Sequence, residues 1–231
     1  MAKHLLITGA NRGIGLTMVK HYLADGWLVT ACCRAPEQAE ELQSLLDDNE
    51  GLSIFQLDVT DYEAIDELAE NLNGEPIDLL INNAGYYGPK GVGFGGTDVE
   101  EWRQVFEINT IAPLKIAEAF KAHLSQADHG IYAAISSKMG SMSDNGSGGS
   151  YIYRSSKAAL NSVVKSLSID LQPDNISAIA IHPGWVQTDM GGPNALITTE
   201  QSVSGIKQLL DNLSTDQNGG FYDYNGSEIA W

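Results

Sequence analysis

The amino-acid sequence predicts a single α/β domain over residues 1–231, with a doubly wound parallel sheet of about seven strands. Two observations lead to this fold class. Short apolar runs alternate with longer helix-like segments almost without exception along the chain. The apolar runs are also nearly continuous, as expected for parallel strands that helices cover on both faces. No internal repeat or interdomain linker divides the sequence.

The first half of the chain contains four apolar runs that predict strands: HLLIT, WLVTACC, SIFQLDVT and IDLLI. A helix from about Ile14 to Asp25 is expected after the first run. A polar helix that ends near Asp48 is expected after the second, and a helix from Tyr62 to Leu72 after the third. The segment NNAG closes the fourth strand.

The second half begins with a long helical segment over 99–124, in which Pro113 is expected to cause a kink. The runs GIYAAIS and ISAIAIHPG predict the fifth and sixth strands, with a long helix over 153–171 between them. A last helix near 199–213 precedes GGFYDY, a candidate seventh strand. The stretch GSMSDNGSGGS at 140–150 lies at the sheet edge that binds ligands in such folds, although it is equally typical of a flexible surface loop.

Composition and charge exclude several kinds of partner. A formal net charge of −17 and a pI near 4.4 argue against nucleic acid and anionic membranes. No stretch reaches the roughly 18 uninterrupted apolar residues of a membrane span, and the N-terminal segment lacks the pattern of a secretion signal. The adjacent cysteines, Cys32 and Cys33, suggest neither a metal cluster nor a structural disulfide. We therefore expect a cytoplasmic protein that binds no metal, nucleic acid or membrane.

A glycine-rich turn, TGANRGIG, joins the first strand to the first helix, with glycine at positions 9, 13 and 15. Glycine in regular structure costs roughly 0.5–1 kcal/mol against alanine, so something in the turn should need it. One explanation is a backbone that approaches a phosphate at the N-terminus of the following helix. The spacing differs from G-x-G-x-x-G and lacks the ending of a triphosphate-binding loop. By itself it therefore leaves a purely structural turn open.

Four stretches occur in order and at characteristic distances: TGANRGIG, NNAG at 82–85, YRSSK at 153–157 and HPGWVQT at 182–188. Together they resemble the short-chain dehydrogenase/reductase family over essentially the whole chain. The segments HPGWVQTDMGG and GGFYDYNGSEIAW are most similar to its C-factor/carbonyl-reductase branch. The resemblance implies a Rossmann-type fold, a nicotinamide dinucleotide cofactor and oxidoreductase activity.

The resemblance also assigns residues to the cofactor. The glycine turn is expected at the pyrophosphate and Asp58 at the adenine, while NNAG supports the sheet and the adenosine half. A role of NNAG mainly in stabilising the fourth strand is the alternative. The segment from Pro183 to Thr188 is expected at the nicotinamide, with backbone contacts from Val186. The implied set is Gly9, Asn11, Arg12, Gly13, Ile14, Gly15, Asp58, Val59, Asn83, Ala84, Gly85, Tyr153, Lys157, Pro183, Gly184, Val186 and Thr188.

The residue that ends the second strand distinguishes NAD from NADP. An acidic side chain there would bind the ribose 2′-hydroxyl of NAD. Arg34 occupies this place, and a guanidinium instead suits a 2′-phosphate. Arg12 stands where the family commonly has a second basic group. Because the chain has only four arginines, we expect NADP(H) in preference to NAD(H); the alternative is two solvated surface arginines.

Tyr153 and Lys157 are the expected proton-transfer pair. They are four residues apart and share one helix face, whereas Tyr151 points away from it. The Y-x-x-x-K motif of the family selects the same tyrosine. Since a free phenol titrates near 10, we expect Lys157 and a cationic oxidised nicotinamide to lower the pKa of Tyr153. An incidental surface pair is the alternative.

Two further residues complete the catalytic set that the resemblance implies. Ser137, rather than Ser136, lies three residues before the glycine of ISSKMG and is expected to orient the substrate carbonyl. Its spacing of 16 residues from Tyr153 is longer than usual in the family. Asn109 is expected to hold a water molecule that links Lys157 to solvent, although a helix-distorting bond to backbone is also compatible.

This set predicts hydride transfer between NADPH and a small carbonyl or alcohol substrate. Asn109, Ser137, Tyr153 and Lys157 together favour catalysis over the main alternative, a nucleotide-sensing or C-factor-like signalling protein with little turnover. An epimerase or dehydratase is a third possibility. Between Thr188 and the last helix only about a dozen residues could form a lid, so we expect an open, permissive site. Its candidate wall residues are Tyr87, Phe94, Tyr151 and Trp185.

A homodimer or homotetramer is also expected from the resemblance. In the family, helices such as those at 100–124 and 153–171 form the usual interface between subunits. The sequence alone does not separate outward apolar residues of these helices from core positions.

Overall fold

Seven strands make up the sheet: β1 His4–Thr8, β2 Leu28–Cys33, β3 Leu52–Gln56, β4 Leu79–Asn82, β5 Gly130–Ile135, β6 Ile176–His182 and β7 Phe221–Asp223. The computed structural model describes residues 2–231. The spatial order is β3-β2-β1-β4-β5-β6-β7, and every neighbouring pair is parallel. The predicted Rossmann-type α/β fold is confirmed, including the GGFYDY strand. The order reverses between β1 and β4, which is where such sheets bind ligands.

Helices connect the strands on both faces of the sheet: α1 Gly13–Ala24, α2 Glu40–Gln43, α3 Tyr62–Asn71, α4 Val99–Phe106, α5 Ala112–Leu124, α6 Tyr151–Asp170 and α7 Thr199–Asp211. Three of them begin at side chains that accept hydrogen bonds from the first turn: Asp61 before α3, Asp98 before α4 and Thr198 before α7. Such caps are each worth about 1 kcal/mol and fix the start of the helix. None of the helices in residues 2–231 is long and apolar enough to cross a membrane.

The polar helix that was expected to end near Asp48 is much shorter. It comprises one turn, α2, and the chain continues as turns with bonds from Leu45 to Leu42 and from Leu46 to Gln43. Leu42 is fully buried, whereas most of the following side chains are exposed. Because a short helix depends on tertiary packing for its stability, a segment with little buried surface after Leu42 does not extend it.

The long segment over 99–124 is interrupted. A π-helical turn, Glu107–Ile111, separates α4 from α5. Pro113 lies in the first turn of α5, directly after the π-helical turn, and it has no N–H to donate to that preceding turn. The expected distortion is therefore present, but it precedes the proline and places Asn109 inside the π-helical turn. Such turns are frequent at functional sites.

The hydrophobic core lies on both faces of the sheet. Along β1, Leu5 and Ile7 pack on the side of α1 and α7, while Leu6 packs on the side of α3, α5 and α6. Cys32 and Cys33 on β2 likewise belong to opposite clusters, and both are free thiols. Neighbouring residues of a strand point to opposite faces, which explains why these cysteines do not pair.

Candidate active site

A cleft of about 800 Å³ opens at the carboxyl ends of the central strands, across the point where the strand order reverses. The predicted cofactor residues that line it are Gly9, Asn11, Arg12, Gly13, Ile14, Gly15, Arg34, Asp58, Val59, Asn83, Ala84, Gly85, Tyr153, Lys157, Pro183 and Thr188. Gly184 and Val186 do not line it. Val186 is buried, and a Cβ on Gly184 would lie 2.5 Å from Ile197. These two residues therefore support the loop from its buried side and do not face the cleft.

The glycine turn has a defined backbone conformation and is not a flexible linker. Gly9 and Gly13 have φ angles of +64° and +55°, in the left-handed region that favours glycine. A Cβ on Gly15 would lie 2.2 Å from the carbonyl oxygen of Gly9, so the turn also needs glycine for packing. No side chain caps α1 and its first turn has no acidic residue. The backbone N–H groups there are arranged to bind an anion.

The NNAG segment holds the glycine turn in place. The Asn83 side-chain amide donates to the carbonyl oxygens of Thr8 and Gly9, each at 3.0 Å. The backbone N–H groups of Asn83 and Ala84 both donate to the Thr8 hydroxyl at 3.1 Å. The segment therefore stabilises the end of β1, whereas the structural alternative expected a role in the fourth strand, and it also lines the cleft.

The two arginines at the adenosine side differ in their surroundings. Arg34 follows the last residue of β2, is exposed and faces the cleft. The Arg12 guanidinium instead makes a 2.7 Å ion pair with Asp189, in the loop after β6. No sequence pattern predicted a contact between these distant residues. Binding of one anion by both arginines stays a prediction. Asp189 would compete with that anion for the Arg12 guanidinium.

Tyr153 lies on the inward face of α6. It is 8% exposed, whereas Tyr151 is 42% exposed, which agrees with the argument from helix faces. The ring of Tyr87 stacks on it with 4.4 Å between ring centroids. The Ser137 side chain lies near the phenol and acts to lower its pKa. The neighbouring Ser136 hydroxyl donates to the Asn161 side chain at 2.5 Å inside the core, which leaves Ser137 as the serine that meets the phenol.

Burial is the main cause of the pKa shifts of Tyr153 and Lys157. It raises the pKa of Tyr153 to about 12, although the Ser137 side chain acts in the opposite direction. It lowers the pKa of Lys157 to about 7, while the amine donates to the Ile135 carbonyl at 2.8 Å. The protein's own groups therefore do not lower the pKa of Tyr153 as we expected. A fully charged neighbour would have to reverse the effect of burial.

Asn109 is completely buried in the π-helical turn. Its carboxamide accepts from the Tyr86 N–H and donates to the Tyr86 carbonyl, both at 2.8 Å, and donates to the Ser156 hydroxyl at 3.1 Å. It thereby links the loop after β4 to α6, a role that sequence reasoning missed. A Cβ on Gly85 would lie 3.4 Å from Asn109 Oδ1 and 3.8 Å from Lys157 Nζ, so a small residue is favoured between them.

Comparison with known proteins agrees with this geometry. A family model described as short chain dehydrogenase matches residues 3–196. The chain belongs to the short-chain dehydrogenase family. Among relatives, the C-signal protein of Myxococcus xanthus is 42% identical over 163 residues, which cover 71% of this chain and 98% of that protein.

Two solved structures are similar to this short-chain dehydrogenase over its whole length. The carbonyl reductase Sniffer of D. melanogaster has a TM-score of 0.95 and 34% identity, with 100% of each chain covered. The NADPH-bound carbonyl reductase from chicken fatty liver has a TM-score of 0.92 and 37% identity, with 100% of this chain and 99% of that chain covered. The carbonyl-reductase branch suggested by the sequence is confirmed.

The outer part of the short-chain dehydrogenase site is open. Phe94 is 93% exposed and its ring centroid lies 6.3 Å from that of Tyr151. Trp185 is half exposed, and its indole N–H donates to the Gly191 carbonyl at 2.8 Å. Of the candidate wall residues, Tyr87 alone packs directly on Tyr153 among the contacts found in residues 2–231. The other three form an exposed apolar rim outside the cleft lining: Phe94 and Trp185 lie in loops, and Tyr151 begins α6.

Several cleft residues of this short-chain dehydrogenase were not anticipated: Cys33, Leu57, Tyr86, Gln104, Ile108, Ile135, Ser136, Gln187, Asp189 and Met190. Most of them lie at or just beyond strand ends next to predicted residues, so the parallel arrangement itself was the available signal. Gln104 and Ile108 reach the cleft from α4 and the π-helical turn. No motif marks them, since their position depends on how that helical segment packs.

Proposed function

We propose that the chain is an NADPH-preferring reductase of ketones and aldehydes that also catalyses the reverse oxidation of alcohols. The main support is the buried group beside the cleft: the Ser137 hydroxyl meets the Tyr153 phenol, and the Lys157 amine lies one helical turn away. The similarity to carbonyl reductases supports the same reaction class.

The cleft residues fit a dinucleotide with a 2′-phosphate. A Cβ on Gly13 would fill the space toward Thr188, 3.2 Å from its Cγ2, and the uncapped start of α1 suits a pyrophosphate. The exposed Arg34 suits the 2′-phosphate. NADPH, when bound, would supply the hydride to the carbonyl carbon. The chicken enzyme, whose structure is NADPH-bound, supports this choice of cofactor.

The chain's own residues orient the carbonyl and deliver the proton. The Ser137 hydroxyl accepts from the Met139 N–H at 3.1 Å, which leaves its own hydrogen to donate to a substrate oxygen. Burial holds the pKa of Tyr153 at about 12, so the phenol carries a proton at neutral pH and is ready to act as the general acid of reduction. Lys157 would bind the nicotinamide ribose and, in its ammonium form, would stabilise the phenolate that remains.

Turnover of a panel of aldehydes and ketones with NADPH, followed by loss of NADPH absorbance, tests the proposal. We expect measurable reduction of several members, because the rim is open and apolar. The relative C-signal keeps a signalling role as the second candidate. Tight NADPH binding with no turnover over the whole panel would favour that role and contradict the reductase.

Replacing Asp189 with asparagine should raise NADPH affinity about two- to fivefold, because exposed ion pairs are worth at most about 1 kcal/mol. The reason is that Asp189→Asn frees the Arg12 guanidinium for the 2′-phosphate. Fluorescence titration of both cofactors at fixed salt measures the effect. NADH affinity should not change, and Arg12→Ala should remove the gain. An equal gain for NADH would show that Asp189 acts on the whole cofactor instead.

We also propose self-association through the outer faces of α5 and α6. Ile169 near the end of α6 is 62% exposed, and Ile111 just before α5 is 41% exposed. Such apolar side chains on helices favour burial against a second copy. Light scattering at micromolar concentration should give the mass of a dimer or tetramer. A monomer mass under these conditions would contradict the proposal.

A cytoplasmic location is the final part of the proposal. Cys32 and Cys33 are buried free thiols, and burial raises the pKa of both. Thiols without disulfide pairing are typical of a reducing compartment. Fractionation of cells that express the chain, followed by immunodetection, would test this location.

A further inference from the structure

The turn that follows Ser137 is attached to the helix that contains Tyr153. Residues Lys138–Gly140 form a single 3₁₀ turn, in which the N–H and the carbonyl of Met139 both make hydrogen bonds. Its N–H donates to the Ser137 hydroxyl at 3.1 Å, and its carbonyl accepts from Arg154 Nη1 at 3.2 Å. Arg154 Nη2 donates to the Ser147 hydroxyl at 2.9 Å, within the glycine- and serine-rich loop. One guanidinium therefore joins the turn, the loop and α6.

We propose that Arg154 is a positioning residue for Ser137. Arg154 directly follows Tyr153 in α6, so a contact from its guanidinium to Met139 fixes the distance between the serine and the phenol. The planar guanidinium donates in fixed directions and loses little freedom for each bond that it forms. Its Nε is buried without a hydrogen-bond partner, so the side chain packs against the protein rather than extending into solvent.

The surrounding chain explains why such a contact is needed. Gly140 packs closely on α6, since a Cβ there would lie 2.8 Å from the Lys157 carbonyl carbon. This contact limits how near the turn approaches but does not fix its rotation. The loop beyond it contains Gly146, Gly148 and Gly149, whose Cβ positions meet nothing within 4 Å. A loop of this kind supplies little packing, so directional hydrogen bonds have to hold the turn.

The beginning of the loop, directly after the turn, is also attached to the end of the chain. The Ser141 hydroxyl donates to the Ala230 carbonyl at 2.6 Å, and the Ser143 hydroxyl donates to a Trp231 oxygen at 2.9 Å. These bonds attach the loop to the last residues of the chain and do not involve Arg154. Loss of Arg154 should therefore loosen the turn relative to α6 without releasing the loop, which predicts a folded protein with a misplaced serine.

The inference rests on the proposed function, since its kinetic readout needs turnover. Arg154→Met should lower kcat about tenfold or more, because small misplacements of catalytic groups cost up to about 10²-fold. NADPH affinity should stay within about twofold, as Arg154 does not line the cleft. Arg154→Lys retains a cation that can bond one of the two acceptors and should recover part of kcat. Ser147→Ala, a mild change on an exposed loop, should lower kcat about two- to threefold.

The matched control is Arg103→Met, which removes an exposed arginine that pairs with Glu100 on α4. For all variants we would measure kcat, KM, NADPH affinity, melting temperature and hydrogen exchange of the 138–150 segment. Arg154→Met should speed exchange in that segment, and Arg103→Met should not. The inference is overturned if Arg154→Met changes neither kcat nor exchange, or if the control gives the same losses. A wild-type protein without turnover would contradict the proposed function, and the exchange comparison would still decide the role of Arg154.

Discussion

Replacing Tyr153 with phenylalanine is expected to lower kcat by at least about 10²–10⁴-fold, the usual contribution of a general acid. The phenol lies near Ser137 and would deliver the proton to the alkoxide, whereas the ring stacks on Tyr87. Phenylalanine keeps the ring and loses the oxygen. NADPH affinity should be nearly unchanged, because the lost group acts in the transition state. Assays that follow NADPH consumption measure kcat, and a separate fluorescence titration measures NADPH affinity.

Tyr151→Phe is the matched control, two residues earlier on the same helix. Its side chain is 42% exposed at the rim, so most of the activity should remain. Substrates that contact the rim would show a change in KM rather than in kcat. If Tyr151→Phe lost turnover and Tyr153→Phe kept it, the assignment of the two helix faces would be wrong and with it the proposed mechanism.

The alternation of apolar runs was sufficient to predict the sheet. The central runs are buried on both faces, so their sequence is determined almost entirely by the core, as in β1 and β6, whereas the edge strand β3 is partly exposed. Helix lengths were less predictable. The segment after β2 has the composition of a helix but only Leu42 deeply buried, and the chain there forms turns instead. Local preference decides little where packing is weak.

In the candidate site too, some features could be predicted from the sequence and others could not. Residues that directly follow strands, such as Arg34 and Asn83, could be placed from the sequence because the strand end fixes their position. Contacts between loops could not be predicted in this way. The Arg12–Asp189 pair joins residues 177 positions apart, and the Arg154–Met139 bond depends on the path of a long loop. Such contacts follow from the three-dimensional course of the chain and leave no periodic pattern.

The titration of Tyr153 is the point at which the sequence argument and the structure differ most. The motif argument assumed that a nearby ammonium and a cationic oxidised nicotinamide together lower the pKa of the phenol. In the structure Lys157 is itself buried with its pKa lowered to about 7, so its charge is weakest where the argument needs it. Burial is a property of the assembled core, and the Y-x-x-x-K spacing contains no information about it.

Arg34→Asp should reduce NADPH affinity by at least about 10–100-fold. Hydrogen bonds to a charged group contribute about 1.5–3 kcal/mol, which corresponds to one or two decades in affinity. The variant also places a carboxylate beside the 2′-phosphate, and the repulsion adds to the loss. Arg34 is exposed at the end of β2, so its replacement should not disturb the core and the melting temperature should stay close to that of the wild type.

The comparison with NADH decides what this loss means. The new carboxylate can accept from the free 2′-hydroxyl, so NADH affinity should hold or improve in Arg34→Asp. Arg12→Ala should weaken NADPH in the same direction but less, because it introduces no repulsion and because Asp189 already occupies that guanidinium. Fluorescence titration of both cofactors against the wild type and the two variants, at one salt concentration, measures all six affinities. An equal loss for NADH and NADPH in Arg34→Asp would show that the arginine supports the cleft structurally, and the preference for NADPH would then lose its main argument.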